Sequence, residues 1–179
     1  MLRGFEIVSA KQNQVIKLPQ RQTKSAAGYD LAASEDFVLP SIWRGNFLKT
    51  LWALHRQPDQ VTEEDLLAGD HLLKPFLVPT GIKCYMQPNE FVLLANRSSA
   101  PLKRRLILPN GVGIVDADYY NNPSNEGELF VQLINYGLRD YTIKKGERIG
   151  QAIFLPYLTA DNEEAPRADR TGGFGSTKK

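Results

Sequence analysis

Residues 106–122 read LILPNGVGIVDADYYNN. Leu106–Leu108 and Val112–Val115 are apolar runs too short for helices. Between them stands Asn110-Gly111, a pair that accepts the positive φ values of a tight β-turn. The pattern predicts a β-hairpin whose second strand runs into Asp116, Asp118 and two tyrosines. The same grammar continues outward in both directions. FEIVSA (5–10), FVLP (37–40), FLVPTGIKCYM (76–86), FVLLANR (91–97), GELFVQLINY (127–136) and YTIKKGERIGQAIFLPYL (141–158) are rich in β-branched and aromatic residues. Pro79-Thr80-Gly81, Gln87-Pro88-Asn89 and Lys144-Lys145-Gly146 supply turns between or within them. The expectation is an all-β, jelly-roll-like body.

One segment departs from this grammar. In residues 41–74, Phe47, Leu48, Leu51, Trp52 and His55 fall at helical spacing, and Thr62 precedes an acidic first turn, Glu63-Glu64-Asp65. This predicts a helical insertion that packs on the body or on a neighbouring subunit, or else serves as a lid or partner-binding element. Residues 159–179 lack either periodicity and form a polar, Gly- and Pro-containing arm. The whole, residues 1–179, has the length of a single domain.

Composition narrows the function. A net charge of +2 offers no basic field for duplex nucleic acid, so no nucleic-acid partner is expected. The single cysteine, Cys84, cannot form an internal disulfide, which fits a reducing cytoplasm. The N-terminal residues have no apolar signal core, and no apolar run reaches about 18 residues, so no membrane partner is expected either. Both histidines, His55 and His71, lie in the insertion, which leaves no Ser-His-Asp order and no zinc-type cluster.

The remaining chemistry rests on carboxylates and phosphate grips. Asp116, at the end of an apolar strand and walled by Ile114 and Val115, suits the activation of a water, and Tyr119 offers a flat face for a ring or sugar. Arg97, Ser98 and Ser99 place a forked cation beside two hydroxyls, which can hold phosphate or merely form a polar turn. Asp30 follows Gly28 at a strand start. In the arm, Gly172, Gly173 and Gly175 can form an amide nest, Ser176 and Thr177 can donate to phosphate oxygens, and Phe174 can stack on a base. The spacing is not that of a P-loop.

Taken in order, AAGYDLAA (26–33), ANRSSAPL (95–102), NGVGIVDADYY (110–120), GERIGQAIF (146–154) and RTGGFGST (170–177) resemble the five motifs of the trimeric dUTPase family. The resemblance implies a jelly-roll protomer, a homotrimer with shared active sites, and hydrolysis of dUTP to dUMP and pyrophosphate. This limits uracil incorporation into DNA and supplies dUMP for thymidylate synthesis. It implies that Asp116 activates the water attacking the α-phosphorus and that Tyr119 packs on the deoxyribose. Asn110, with the backbone of Gly113, Ile114 and Val115, reads uracil. Arg97, Ser98, Ser99 and Gln151 lie at the phosphates, and Arg148 is structural. From the arm, Arg170, Phe174, Gly175, Ser176 and Thr177 close over a neighbouring site. Mg2+ is carried by the triphosphate without direct protein ligands, and Asp30 faces the metal's water shell.

Four departures from the family pattern stand out. Arg170 is one residue closer to the phenylalanine than usual, so Arg167 can share its role. Lys178 replaces a common glycine, Asn96 precedes Arg97, and Ser99 stands where glycine is common. The insertion after the first motif is a further atypical feature. The resemblance also extends to dCTP deaminase and its bifunctional relatives, which need a glutamate base where this chain has Gln132. A nucleotide-sensing protein on the same scaffold, with the insertion as its working surface, is the other alternative.

Overall fold

The computed structural model describes residues 1–71 and 73–162. Its strands are β1 (Gly4–Ile7), β2 (Tyr29–Ala32), β3 (Phe37–Leu39), β4 (Phe76–Pro79), β5 (Ile82–Tyr85), β6 (Glu90–Ala95), β7 (Leu106–Ile107), β8 (Val112–Asp116), β9 (Phe130–Asn135), β10 (Tyr141–Ile143) and β11 (Arg148–Pro156). Two helices, α1 (Gly45–Arg56) and α2 (Glu63–Asp70), lie between β3 and β4. A four-stranded sheet runs β2-β11-β6-β8, a second ladder runs β4-β9-β7, and the pairs β1-β5 and β3-β10 complete the layers. All of these named pairings are antiparallel.

Alternation explains the layers. In β9 every second residue, Val131, Leu133 and Asn135, is buried, and in β6 Val92 and Leu94 turn inward. Leu31, Leu39, Val78, Val92, Leu133 and Ile143 are fully buried and form one core together with Val131 and Ile149. Burying each such side chain contributes roughly 1.5–3 kcal/mol. At one flank Phe5, Tyr29 and Phe154 pack ring against ring, with centroids 5.3–5.9 Å apart.

The hairpin expected at Asn110-Gly111 is not formed. A turn is present, with the Gly111 N–H donating to Leu108 O at 3.0 Å and φ of +71° at Gly111. The strands on either side part company, however: β7 pairs with β9 and β8 with β6. The dipeptide dictates the turn, while burial on two different layers dictates the partners.

Within the insertion, α2 begins on local chemistry. At α2 the Thr62 side chain accepts from Asp65 N–H at 3.2 Å, and the Asp65 carboxylate accepts from Thr62 N–H at 3.1 Å, a reciprocal capping box. Thr50 Oγ1 on α1 donates to Asp65 O at 3.0 Å, tying the two helices together. The segment is anchored to the body where it leaves β3. The Ser41 N–H donates to Asp140 Oδ1 at 2.9 Å and Trp43 Nε1 to Tyr136 O at 2.9 Å. Leu48, Leu51, Trp52, Leu66 and Leu67 stay exposed on the helices. No helix among the described residues is long and apolar enough to cross a membrane.

Candidate active site

β8 is an outer strand of the four-stranded sheet, so one side of its backbone lies outside the ladder. That side opens on a cavity of about 230 Å3. Asn110, Gly113, Ile114, Val115, Asp116 and Tyr119 line it, together with Leu94, Leu108 and residues of the β9 region: Glu128, Leu129, Phe130 and Gln132. The three leucines give an apolar wall, and the strand backbone with Asn110 and Gln132 gives directional donors and acceptors. Pockets that enclose a whole small ligand usually span about 300–1,000 Å3. This one suits a single ring and its sugar rather than a complete nucleoside triphosphate.

Tyr119 ends a 3-10 turn that follows β8, and its side chain is buried. Its hydroxyl donates to Glu128 O at 3.0 Å and accepts from Asn125 Nδ2 at 2.8 Å. Burial lifts the Glu128 carboxyl above the ordinary carboxylate range, and the Gly81 N–H, donating to its Oε1 at 2.9 Å, opposes that shift.

A second group of expected site residues gathers elsewhere on the sheet. Asp30 on β2 pairs with the Arg97 guanidinium at 3.0 Å through one oxygen and accepts from Arg148 Nη1 at 3.1 Å through the other. Both Asp30 oxygens thus hold guanidinium groups. Gln151 lies opposite Asp30 and Ala95 across the two ladders, and its Nε2 donates to Asn96 O at 3.1 Å. Asn96 has a task of its own. Its Oδ1 accepts from the Arg97 N–H at 2.9 Å and its Nδ2 donates to Leu106 O at 3.2 Å, fixing the chain where β6 gives way to Arg97, Ser98 and Ser99.

The two groups are not brought together within one chain. Asp116 lies opposite Phe91 and Val112 opposite Ala95, so Asp116 and Arg97 leave the β6–β8 ladder at opposite ends. Four residues of strand separate those positions by roughly 13 Å. Arg97, Ser98, Ser99 and Gln151 are absent from the lining of the cavity. Of the wall expected around Asp116, Val115 is buried, but Ile114, on the same face of β8 as the exposed Asp116, is itself 56% exposed. Arg170, Phe174, Gly175, Ser176 and Thr177, with Arg167 and Lys178, lie outside the described residues.

Glu128 and Phe130 were not anticipated as cavity residues, whereas Gln132 was singled out as standing where a deaminase has its glutamate base. The alternation of FVQLIN places Phe130 and Gln132 on the face opposite Val131 and Leu133, which was the available signal. Among the described residues no three His, Cys, Asp or Glu side chains converge on a point that could hold a metal ion.

Comparison with known proteins places this chain in a family. The dUTPase profile matches residues 67–178. The chain is 39% identical to the deoxyuridine 5'-triphosphate nucleotidohydrolase of Lactococcus lactis subsp. lactis over 98% of this chain and 97% of that protein. It is 32% identical to the enzyme of the same name from Desulfitobacterium hafniense over 96% and 94%. The crystal structure of dUTPase from Streptococcus mutans superposes with a TM-score of 0.68 at 35% identity, covering 89% of this chain and 99% of that one. A mutant dUTPase from phage phi11 of S. aureus, solved to show coordination of a structural Mg(II) ion, shares the fold at a TM-score of 0.60 and 15% identity, over 93% and 98%. The chain belongs to the dUTPase family. Its activity is that of a dUTP diphosphatase, which hydrolyses dUTP to dUMP and pyrophosphate.

Proposed function

We propose that the β8 cavity binds the deoxyuridine moiety and that Asp116 is the base of the reaction. The observation that carries this reading is the convergence of Asn110, Gly113 to Val115, Asp116 and Tyr119 on one cavity. The outer backbone edge of β8 and Asn110 read the uracil ring, favouring its donor/acceptor pattern over that of cytosine and leaving no space for a thymine methyl. Tyr119 lies against the deoxyribose. The Asp116 carboxylate takes a proton from a water whose oxygen forms a new bond to the α-phosphorus. The bond from that phosphorus to the bridging oxygen breaks, and its electron pair departs with pyrophosphate.

Arg97, Ser98, Ser99 and Gln151 hold the phosphates, and Asp30 keeps the guanidinium of Arg97 in place. Since this set lies away from the cavity within a chain, the complete site combines residues of neighbouring copies in a homotrimer. The exposed apolar side chains Val112 and Ile114 on β8 support such a neighbour. Arg170, Phe174, Gly175, Ser176 and Thr177 close the site from the arm. When bound with the substrate, Mg2+ neutralises phosphate charge. The proposed setting is the cytoplasm.

The test is a substrate panel. The protein is incubated with Mg2+ and dUTP, dCTP, dTTP or UTP, and pyrophosphate and ammonia are measured. Pyrophosphate from dUTP alone is expected. Gln132, a neutral amide, cannot serve as the base a deaminase requires, so ammonia from dCTP would overturn the reading, as would silence with all four.

A further inference from the structure

Between the Tyr119 turn and β9 the chain runs through YNNPSNEGEL (120–129), a polar loop to which the reaction above assigns nothing. Its asparagines are not idle solvent-facing residues. Asn122 is 4% exposed. Its Oδ1 accepts from the Ser124 N–H at 3.0 Å and the Asn125 N–H at 3.3 Å. Its Nδ2 donates to Tyr119 O at 3.0 Å and Asn125 Oδ1 at 2.7 Å. Asn125 Oδ1 also accepts from the Gly127 N–H at 3.1 Å. Two donors therefore fix which end of the Asn125 amide is oxygen, and the Nδ2 is left to face the Tyr119 hydroxyl.

The loop cannot easily relax. Gly127 sits at φ +79°, and a Cβ there would lie 2.4 Å from Tyr119 O. Lys83 on β5 holds its outer side, donating to Asn121 Oδ1 at 2.6 Å and lying 3.4 Å from Glu126 Oε2. The Ser9 N–H donates to the same Glu126 carboxylate at 3.1 Å.

We infer that Asn125 is a positioning residue for sugar discrimination: it pins the Tyr119 hydroxyl, so that the ring stands rigidly where a 2′-hydroxyl would have to fit. A ring tethered only through its Cβ can tilt to admit an extra oxygen. One held at the hydroxyl by Glu128 O and Asn125 Nδ2 cannot, without breaking both bonds. The inference rests on the proposed contact between Tyr119 and the deoxyribose.

Asn125→Ala tests it, because a methyl group can neither donate to the tyrosine nor accept from it, whereas an aspartate there would still hold the hydroxyl by taking its proton. Steady-state kcat and KM are measured for dUTP and UTP in wild type, Asn125→Ala, Tyr119→Phe and the double variant. Loss of one such hydrogen bond corresponds to about fivefold. Asn125→Ala should narrow the dUTP/UTP ratio of kcat/KM by that factor, mainly through a gain with UTP. Tyr119→Phe, which loses both bonds, should narrow it at least as far, and the double variant should do no more than Tyr119→Phe alone. An unchanged ratio in Asn125→Ala, or effects that multiply in the double variant, overturns the inference. Tyr119→Ala separates the two levels. If it collapses the ratio while Asn125→Ala does not, only the positioning role fails; if it too leaves the ratio intact, the sugar contact fails and the positioning role with it.

Discussion

Asp30 holds Arg97 at 3.0 Å and Arg148 at 3.1 Å, joining β2, the exit of β6 and β11 at one carboxylate. Two guanidiniums share one anion, so the cluster keeps a net positive charge while its geometry is fixed from behind. Asp30→Asn preserves the shape and removes the charge that aligns Arg97. With charge-assisted hydrogen bonds weakened, kcat/KM for dUTP should fall about tenfold. Binding of dUMP, which lacks the outer phosphates, should hold. Pyrophosphate release and calorimetry check the two, and an unchanged kcat/KM removes the positioning role from Asp30.

Asp116→Asn keeps the side-chain volume and loses the proton acceptor. Turnover should drop by at least about 100-fold while dUTP still binds. Single-turnover hydrolysis alongside equilibrium binding distinguishes a lost base from a lost site.

Glu128 provides a pH test of the cavity floor. Burial raises its carboxyl in the folded chain. Between its unfolded and folded pKa values the native state therefore binds more protons than the unfolded state, and stability falls as pH rises through that window. Glu128→Gln keeps an oxygen for the Gly81 N–H and removes the buried charge. Its unfolding midpoint should exceed that of the wild type above the window and converge with it on the acid side. A gap that instead widens in acid contradicts the assignment.

Cys84 is 2% exposed, and burial pushes its thiol up to about 12. In native protein at pH 8 it should resist a water-soluble thiol reagent, and one thiol per chain should appear on unfolding.

For the arm the prediction rests on sequence. Ending the chain at Asp169 removes Arg170, Phe174, Ser176 and Thr177. Activity should fall by more than about tenfold, as expected when several phosphate and stacking contacts are lost. The circular dichroism spectrum and unfolding midpoint should not move.

Much of the architecture was legible because strand propensity and alternation are local properties. The six residues from Phe130 to Asn135 announce a half-buried strand by themselves, and Thr62 with Asp65 announces a helix start. Pairing is not local. Asn110-Gly111 encodes a turn, but nothing in those two residues says that β8 joins β6 while β7 joins β9. The site divides in the same way. Asp116, Tyr119 and Asn110 could be read from one contiguous stretch, whereas Glu128 and Gln132 reach the cavity only through that pairing. Asn122 and Asn125 looked like ordinary loop composition, since their value lies in amide directions that sequence does not display.

The pairing order also sets a schedule for synthesis. β2 pairs with β11 and β3 with β10, so two strands made early meet these partners only after residues 141–156 have been synthesised. Such long closures slow folding, and they leave early strand edges uncovered in the meantime. A ribosome releasing this chain leaves β2, β3 and one edge of β6 without their partners until the end, and stalling short of β11 would yield a fragment prone to associate rather than a partial enzyme.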